Sequence, residues 1–223
     1  MGFGYPVFKI NKLQIMKKYI LPFLVLLMIN TIACTQSNQK ADRIVGSDCE
    51  DCELMFEGMP KDISWQATIA GPDEPGEPMI ISGVIYKGKD KTPAPGVILY
   101  VYHTDNKGLY STAPKQTAAK RHGHLRGWVK TNEQGRYEFR TIRPASYPNS
   151  RNPQHIHPII KEPGTSLYWI DEFLFADDPV LTESEKSHQQ KRGGSGIISL
   201  TKNEKSIWIG KRDIILGLNI PNY

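Results

Sequence analysis

Short runs of alternating apolar and polar residues dominate the chain from about residue 79. In MIISGVIYKG and GRYEFRTI the alternation has the period of a strand with one buried face. Gly, Pro, Asn and Asp stand between the runs, as in turns. Eight such runs predict an all-β fold, an antiparallel β-sandwich. They cover residues 79–88, 96–104, 127–131, 135–142, 155–162, 166–176, 196–202 and 206–216.

Helix-forming patterns are scarce. In ADDPVLTESEKSHQQK, Thr182 and Glu185 have the spacing of a capping box, which predicts one short surface helix. Trp128, Trp169 and Trp208 lie within apolar strands, and we expect them in the core.

The N-terminus differs from the rest in composition. From Met16, MKKYILPFLVLLMINTIAC has two lysines, an apolar run and a small residue before Cys34, which predicts an export signal. TIAC resembles a bacterial lipoprotein box, which implies lipidation of Cys34 and an envelope lipoprotein held at the membrane. An uncleaved transmembrane anchor is the alternative. The predicted division is a signal peptide at 1–33, with a possible over-long start at 1–15, a tether and N-terminal segment at 34–75, and the sandwich at 76–223.

Charge argues against a nucleic-acid partner. The 223 residues carry a net charge of +5, but the first 33 hold four lysines and no acidic residue. The remainder has 24 basic and 23 acidic residues, without a basic stripe interleaved with aromatics.

Two cysteines remain beyond Cys34. Cys49 and Cys52 form a C-x-x-C pair, which in an oxidising envelope is a small disulfide loop or a redox dithiol. Zinc would need two further ligands nearby, so we favour the disulfide.

The stretch YPNSRNPQHIH contains the candidate chemistry. In a strand, His155 and His157 would point to the same face about 6.7 Å apart and could reach one metal ion. This pattern also occurs as simple packing or as a solvated pair, so further ligands are required. Tyr147, just upstream, and Tyr110, after a glycine turn, are the candidates.

The order of these parts resembles the intradiol ring-cleavage dioxygenases, which include catechol and protocatechuate dioxygenases. The likeness rests on GLY, NEQGRYEF, SYPN, HIH and FLFADDP, and spans about residues 76–180. It implies a protocatechuate-like core in which Fe(3+) is held by Tyr110, Tyr147, His155 and His157. It also implies that an aromatic diol and O₂ react so that the ring opens between its hydroxylated carbons. Tyr147 would leave the iron and help to remove the catechol protons, and a homo-oligomer is possible.

Two positions depart from the family pattern. Asn152 stands where the family has an arginine, with Arg151 one residue earlier, and Glu172 stands where it has a glutamine. Tyr147, Arg151 and Glu172 are therefore the candidate catalytic residues. Either Arg151 pairs with Glu172, or Glu172 recognises a neutral or cationic ring substituent. Both versions predict a preference for catechol, or an alkyl or amino-alkyl catechol, over protocatechuate.

Two other interpretations compete. HIHPIIKE has the H-x-H-x₄-E spacing of a cupin metal motif with Glu162 as third ligand, but Asn149 and Trp169 replace the expected glycines. The strand pattern also resembles transthyretin-like envelope binding modules, in which the tyrosines would be core or edge residues. Such a module does not explain the histidine pair.

The remaining histidines have structural interpretations. His122 and His124, in KRHGHLRG, are expected in an exposed loop, with a place at the rim of a pocket as the alternative. His103, at a strand end, is expected to be structural, and His188 is expected to be solvated on the helix.

Overall fold

A computed structural model describes residues 1–4 and 41–223, and residues 41–223 form one compact unit. The predictions of a signal peptide, a membrane anchor and lipidation at Cys34 fall outside the described residues. Among the residues that are described, no helix is both long and apolar enough to cross a membrane.

The described chain folds into two sheets that face each other. The first sheet has the order β1-β6-β2-β12-β11, with β3 and β13 also paired to β2. Its strands are β1 (Gln66–Thr68), β2 (Pro78–Lys87), β3 (Thr92–Pro93), β6 (Arg136–Ile142), β11 (Leu200–Lys202), β12 (Trp208–Lys211) and β13 (Ile214–Leu216).

The second sheet carries the candidate residues. Its order is β10-β9-β7-β4-β5, with β8 also paired to β7. Its strands are β4 (Ile98–Tyr102), β5 (Arg126–Lys130), β7 (His155–Lys161), β8 (Tyr168–Trp169), β9 (Phe173–Phe175) and β10 (Ile197–Ile198).

The hydrophobic core lies between the two sheets, as the period-two pattern requires. In β4, Leu99 and Val101 belong to this core, while Tyr100 points to the opposite, outer face of the second sheet. In β7, Ile156 and Ile160 likewise point inward. The outer face therefore receives every second residue of both strands.

The predicted β-sandwich is confirmed. Antiparallel pairs join the central strands, but β1–β6, β2–β12, β2–β13 and β9–β10 are parallel, which the prediction did not include. The predicted helix is α1 (Glu183–Ser187), which begins after Thr182 with the expected capping box to Glu185.

The segment before β1 covers part of the outer face of the second sheet. Cys49 and Cys52 form a disulfide, and a 3-10 helix follows over Cys52–Phe56. Met55 is fully buried against this face, and its carbonyl accepts a hydrogen bond of 2.7 Å from the Trp128 indole. The segment thus belongs to the same compact unit as the sandwich.

Candidate metal centre

Strand β7 presents the histidine pair on the outer face of the second sheet. Since Ile156 points into the core, His155 and His157 point outward together. Ladder partners hold the strand on both sides: His157 lies opposite Tyr102 of β4, and His155 lies opposite Leu174 of β9.

The loop after β4 brings Tyr110 to this face. Asp105 holds the turn, because its Oδ1 accepts hydrogen bonds from the backbone amides of Lys107 (2.8 Å) and Leu109 (3.0 Å), and its Oδ2 accepts one from Ser111. The Asp105 amide also donates to the Leu109 carbonyl at 2.9 Å. These bonds fix the backbone on both sides of Tyr110.

His124 ties the far side of the same loop to the chain before β2. Its amide and its Nδ1 both lie 2.8 Å from the Ser111 carbonyl oxygen, and its Nε2 lies 2.9 Å from Glu74 Oε2. Burial opposes the charged form of His124, but the bonds to Ser111 and Glu74, and the charges of Glu74 and Asp105, outweigh it and raise the His124 pKa.

Tyr147 comes from the loop between β6 and β7, which packs directly on the Tyr110 loop. The close approach needs Gly108, because a Cβ there would overlap the carbonyl oxygen of Ser146, and its φ is +79°. The Ala145 amide also donates to the Asp105 carbonyl at 3.1 Å. Each tyrosine is thus placed by contacts with the other loop.

The four side chains converge. The Tyr110 Oη lies 2.7 Å from the Tyr147 Oη and 2.9 Å from the His157 Nε2. The Tyr147 Oη lies 3.0 Å from the His155 Nε2 and 3.3 Å from the His157 Nε2, and the two Nε2 atoms are 3.1 Å apart. Ligands about 2.0–2.1 Å from a shared cation, at ordinary bond angles, stand about 2.8–3.4 Å from each other. The observed separations fit such a site.

The proton positions on the histidines also favour a cation. His155 Nδ1 lies 2.7 Å from the Pro153 carbonyl oxygen, and His157 Nδ1 lies 3.1 Å from Glu172 Oε1. Both partners are acceptors, so each neutral ring carries its proton on Nδ1 and a lone pair on Nε2. The two lone pairs therefore converge on one point, which a cation can occupy and which the phenol hydroxyls of Tyr110 and Tyr147 otherwise reach.

The phenols complete a donor set suited to ferric iron. Burial raises the pKa of both Tyr110 and Tyr147, so each would stay protonated without a nearby cation. A bound cation reverses this preference, since it stabilises the phenolates. Hard anionic oxygens with imidazole nitrogens suit Fe(3+).

Comparison with known proteins shows the family of the chain. A family model described as dioxygenase, that of the intradiol ring-cleavage enzymes, matches residues 57–192, more than half of the chain. The chain belongs to the intradiol dioxygenase family. The chain is 41% identical over 76 residues to catechol 1,2-dioxygenase 1 of Acinetobacter lwoffii, and the match covers 34% of this chain and 24% of that protein. It is 27% identical over 162 residues to catechol 1,2-dioxygenase of Acinetobacter baylyi, covering 60% of this chain and 51% of that one.

A solved structure supports the fold. The dioxygenase domain of a dioxygenase and carbohydrate-binding protein fusion from Streptomyces sp. SirexAA-E superposes with a TM-score of 0.55 at 22% identity, covering 71% of this chain and 91% of that one. The chain spans about a quarter to a half of the length of the two Acinetobacter relatives.

Glu172 and Arg151, the two residues expected to contact a substrate, lie apart. Glu172 contacts His157 rather than Arg151, while Arg151 is exposed in the loop before β7. Burial alone would raise the Glu172 pKa, but the Nδ1–H group of His157 and the electrostatic influence of the two neighbouring imidazoles lower it. The pairing of Arg151 with Glu172 is therefore not observed.

A cavity of about 300 Å³ adjoins the centre on the His157 side. Its lining includes the disulfide, which belongs to the segment before β1. Three carboxylates and two aromatic side chains also line it, and no described lining residue is a lysine or an arginine. These side chains are Asp48, Glu50, Glu172, Tyr102 and Trp169.

Behind His157 lies an aromatic stack that the sequence did not predict. The Tyr102 ring lies between His122, with centroids 3.7 Å apart, and His157, at 4.6 Å. His122 also hydrogen-bonds the Tyr100 hydroxyl at 2.9 Å, and burial lowers its pKa to about 4, which keeps it neutral.

Several structural expectations need correction, and others hold. The exposed-loop prediction is wrong for His122, which is 3% exposed, and for half-buried His124. The cause is non-local, since other parts of the chain cover both rings. His103 is buried and bonds Thr141 as expected, and His188 is exposed at the end of α1.

Trp169 does not lie in the core as expected, and the cupin hypothesis is not supported. Trp169 lies under the Arg192 guanidinium, 3.4 Å from its carbon to the ring centroid, and lines the cavity instead of the core. Both other tryptophans are half-buried. Trp208 packs against the core between the sheets, and Trp128 packs against the apolar residues around Met55 on the outer face of the second sheet. Glu162 bonds the Tyr168 and Tyr223 hydroxyls, so the cupin ligand set does not form.

Proposed function

We propose that this chain is an Fe(3+)-dependent dioxygenase that uses O₂ to cleave a catechol-type ring between its two hydroxylated carbons. The observation that carries the proposal is the convergence of two phenol oxygens and two imidazole nitrogens at 2.7–3.3 Å. Family membership supports the same reaction type.

Tyr110, Tyr147, His155 and His157 would hold the iron. When bound, Fe(3+) would supply a Lewis acid that binds the catechol oxygens and withdraws electron density from the ring, which makes the ring reactive toward O₂. Two phenolates and two neutral imidazoles leave a +3 ion with a net charge of about +1, which attracts a catecholate.

The chain's own residues bind the diol and accept its protons. Tyr147 lies on a loop and is half-buried, so its hydroxyl can move away from the histidines. The family resemblance assigns to its phenolate oxygen the role of accepting a catechol proton. The ladder holds His155 and His157 on both sides, and they would keep their positions.

We infer that the preferred ring has no negative substituent. Asp48, Glu50 and Glu172 line the cavity beside His157, and no lysine or arginine is among its described lining residues. Glu50 is exposed and lies 3.7 Å from Arg121, so Asp48 and Glu172 carry most of the negative charge that faces the cavity. A carboxylate on the ring would be repelled, whereas Tyr102 and Trp169 offer surfaces to an alkyl or amino-alkyl group.

The metal centre is tested with purified protein. Wild type should contain about one iron per chain, absorb visible light through tyrosinate-to-iron charge transfer, and convert catechol to a muconate-type dicarboxylate. His155→Ala and Tyr147→Phe should lose most of the colour and turnover, while the control Glu138→Gln, in β6 of the other sheet, keeps both. Colourless, iron-free wild type, or full iron binding by both site variants, would refute the proposal.

The substrate preference is tested by comparing kcat/KM for catechol and protocatechuate. Wild type should favour catechol. Glu50→Gln and Glu172→Gln should each lower the ratio of kcat/KM for catechol to kcat/KM for protocatechuate, because each removes one negative charge from the cavity wall. Faster cleavage of protocatechuate by wild type would contradict the inference.

A further inference from the structure

Glu172 lies directly across the ladder from His157. Strands β7 and β9 pair antiparallel, with His155 opposite Leu174 and Ile156 opposite Phe173. Continuing this register by one residue places Glu172, which immediately precedes β9, beside His157. The 3.1 Å separation of Glu172 Oε1 and His157 Nδ1 follows from that register.

The carboxylate lies on the far side of the ring from the convergent atoms. His157 Nε2 lies within 3.3 Å of Tyr110 Oη, Tyr147 Oη and His155 Nε2, whereas Glu172 contacts Nδ1. Since the two ring nitrogens point in different directions, the oxygen that holds Nδ1 cannot also join the atoms around Nε2. Glu172 is thus a partner of His157 through Oε1, although its carboxylate also lies within 4.8 Å of a ligand nitrogen of each histidine.

The two histidines have unequal partners. His155 Nδ1 donates to a neutral carbonyl, that of Pro153, at 2.7 Å, while His157 Nδ1 faces a carboxylate. A carboxylate on Nδ1–H fixes the ring orientation and increases the basicity of the opposite nitrogen more than a neutral acceptor does.

We propose that Glu172 is a positioning residue for His157, which it orients and makes a stronger donor to a trivalent ion. The inference rests on the proposed iron centre and deepens it. It replaces the expectation that Glu172 acts only as a substrate-facing residue, since one carboxylate oxygen is engaged by the ring. The side chain is 43% exposed, which leaves room for its other oxygen on the cavity wall.

The substitutions Glu172→Gln and Glu172→Ala separate orientation from charge. Glutamine keeps a carbonyl oxygen that can accept from Nδ1 but lacks the negative charge, whereas alanine removes both. Glu138→Gln is the control, because Glu138 lies in β6 of the other sheet and pairs with exposed Arg140.

Two properties are measured on full-length protein loaded with Fe(3+) citrate. Competition against a chelator should show a loss of iron affinity of about 10–100-fold for Glu172→Ala and a smaller loss for Glu172→Gln. The charge-transfer band should move to longer wavelength in Glu172→Gln, because a weaker donor leaves the ion more electron-poor. The control should match wild type in both properties.

The outcomes distinguish this inference from the function on which it rests. If His157→Ala and Tyr147→Phe lose iron while both Glu172 variants match wild type in affinity and band position, the positioning role is wrong and the centre stands. If His157→Ala and Tyr147→Phe keep iron, or wild type binds none, both are refuted. Should Glu172→Ala fail to fold, the band of Glu172→Gln decides.

Discussion

Glu74→Gln should destabilise the protein more in mild acid than in mild base, because it removes the carboxylate that faces His124. Both ring nitrogens of His124 lie near acceptors, the Ser111 carbonyl oxygen and the Glu74 carboxylate. These contacts stabilise the charged imidazolium, which carries a proton on each nitrogen. The pKa of His124 is raised in the folded protein. A raised pKa stabilises the fold fully below the unfolded value of about 6.5, and the contribution is lost as pH rises through the folded pKa.

The magnitude follows from the geometry. A hydrogen bond to a charged group contributes about 1.5–3 kcal/mol. The His124 and Glu74 side chains are 24% and 19% exposed, which places the pair near the lower end. We expect Glu74→Gln to cost about 1.5 kcal/mol near pH 5.5, equivalent to a fall in Tm of about 3–6 °C for a domain of this size.

Urea unfolding followed by circular dichroism, near pH 5.5 and near pH 9, measures the effect. The same substitution in a His124→Gln background should cost much less, since the partner is already absent. An equal loss at both pH values, or an equal loss in the His124→Gln background, would show that the pair does not operate as described.

Two further predictions concern the loop contact and the export signal. Gly108→Ala should lower the free energy of unfolding by about 1–3 kcal/mol, because residue 108 has a left-handed backbone. It should also lower iron affinity, because the added methyl group pushes the Tyr110 and Tyr147 loops apart. Thermal unfolding and iron titration would check both effects, and wild-type affinity would contradict the prediction. We also propose an envelope lipoprotein, so Cys34→Ser should release the chain from the membrane fraction or block its processing, and unchanged fractionation would argue against lipidation.

Local patterns in the sequence predicted the strands and the histidine pair. Alternation in β7 depends on side chains two residues apart, so the common direction of His155 and His157 was readable without knowing their neighbours. The tyrosines required more, because nothing local indicates that the loops bearing Tyr110 and Tyr147 meet. Family resemblance supplied that pairing, and Gly108 is the residue that permits it.

Contacts between distant segments were not predictable in the same way. Charged neighbours and Gly123 suggested exposure for His122, but the Tyr102 ring of β4 stacks on it and the Tyr100 hydroxyl bonds it. The partner of Glu172 depends on the register of β7 with β9, which no single strand encodes.

Two of the four convergent side chains lie in a strand and two lie on loops, and this difference affects which substitutions the site can accept. Two of them are anchored in a strand paired on both sides, where an inserted residue would reverse every side chain that follows. The other two lie on connections, which tolerate changes of length better than a strand does, except where Gly108 packs against Ser146. Substitutions that redirect the chemistry are therefore more easily accommodated around the two tyrosines than around the two histidines, provided that the Gly108 contact is kept.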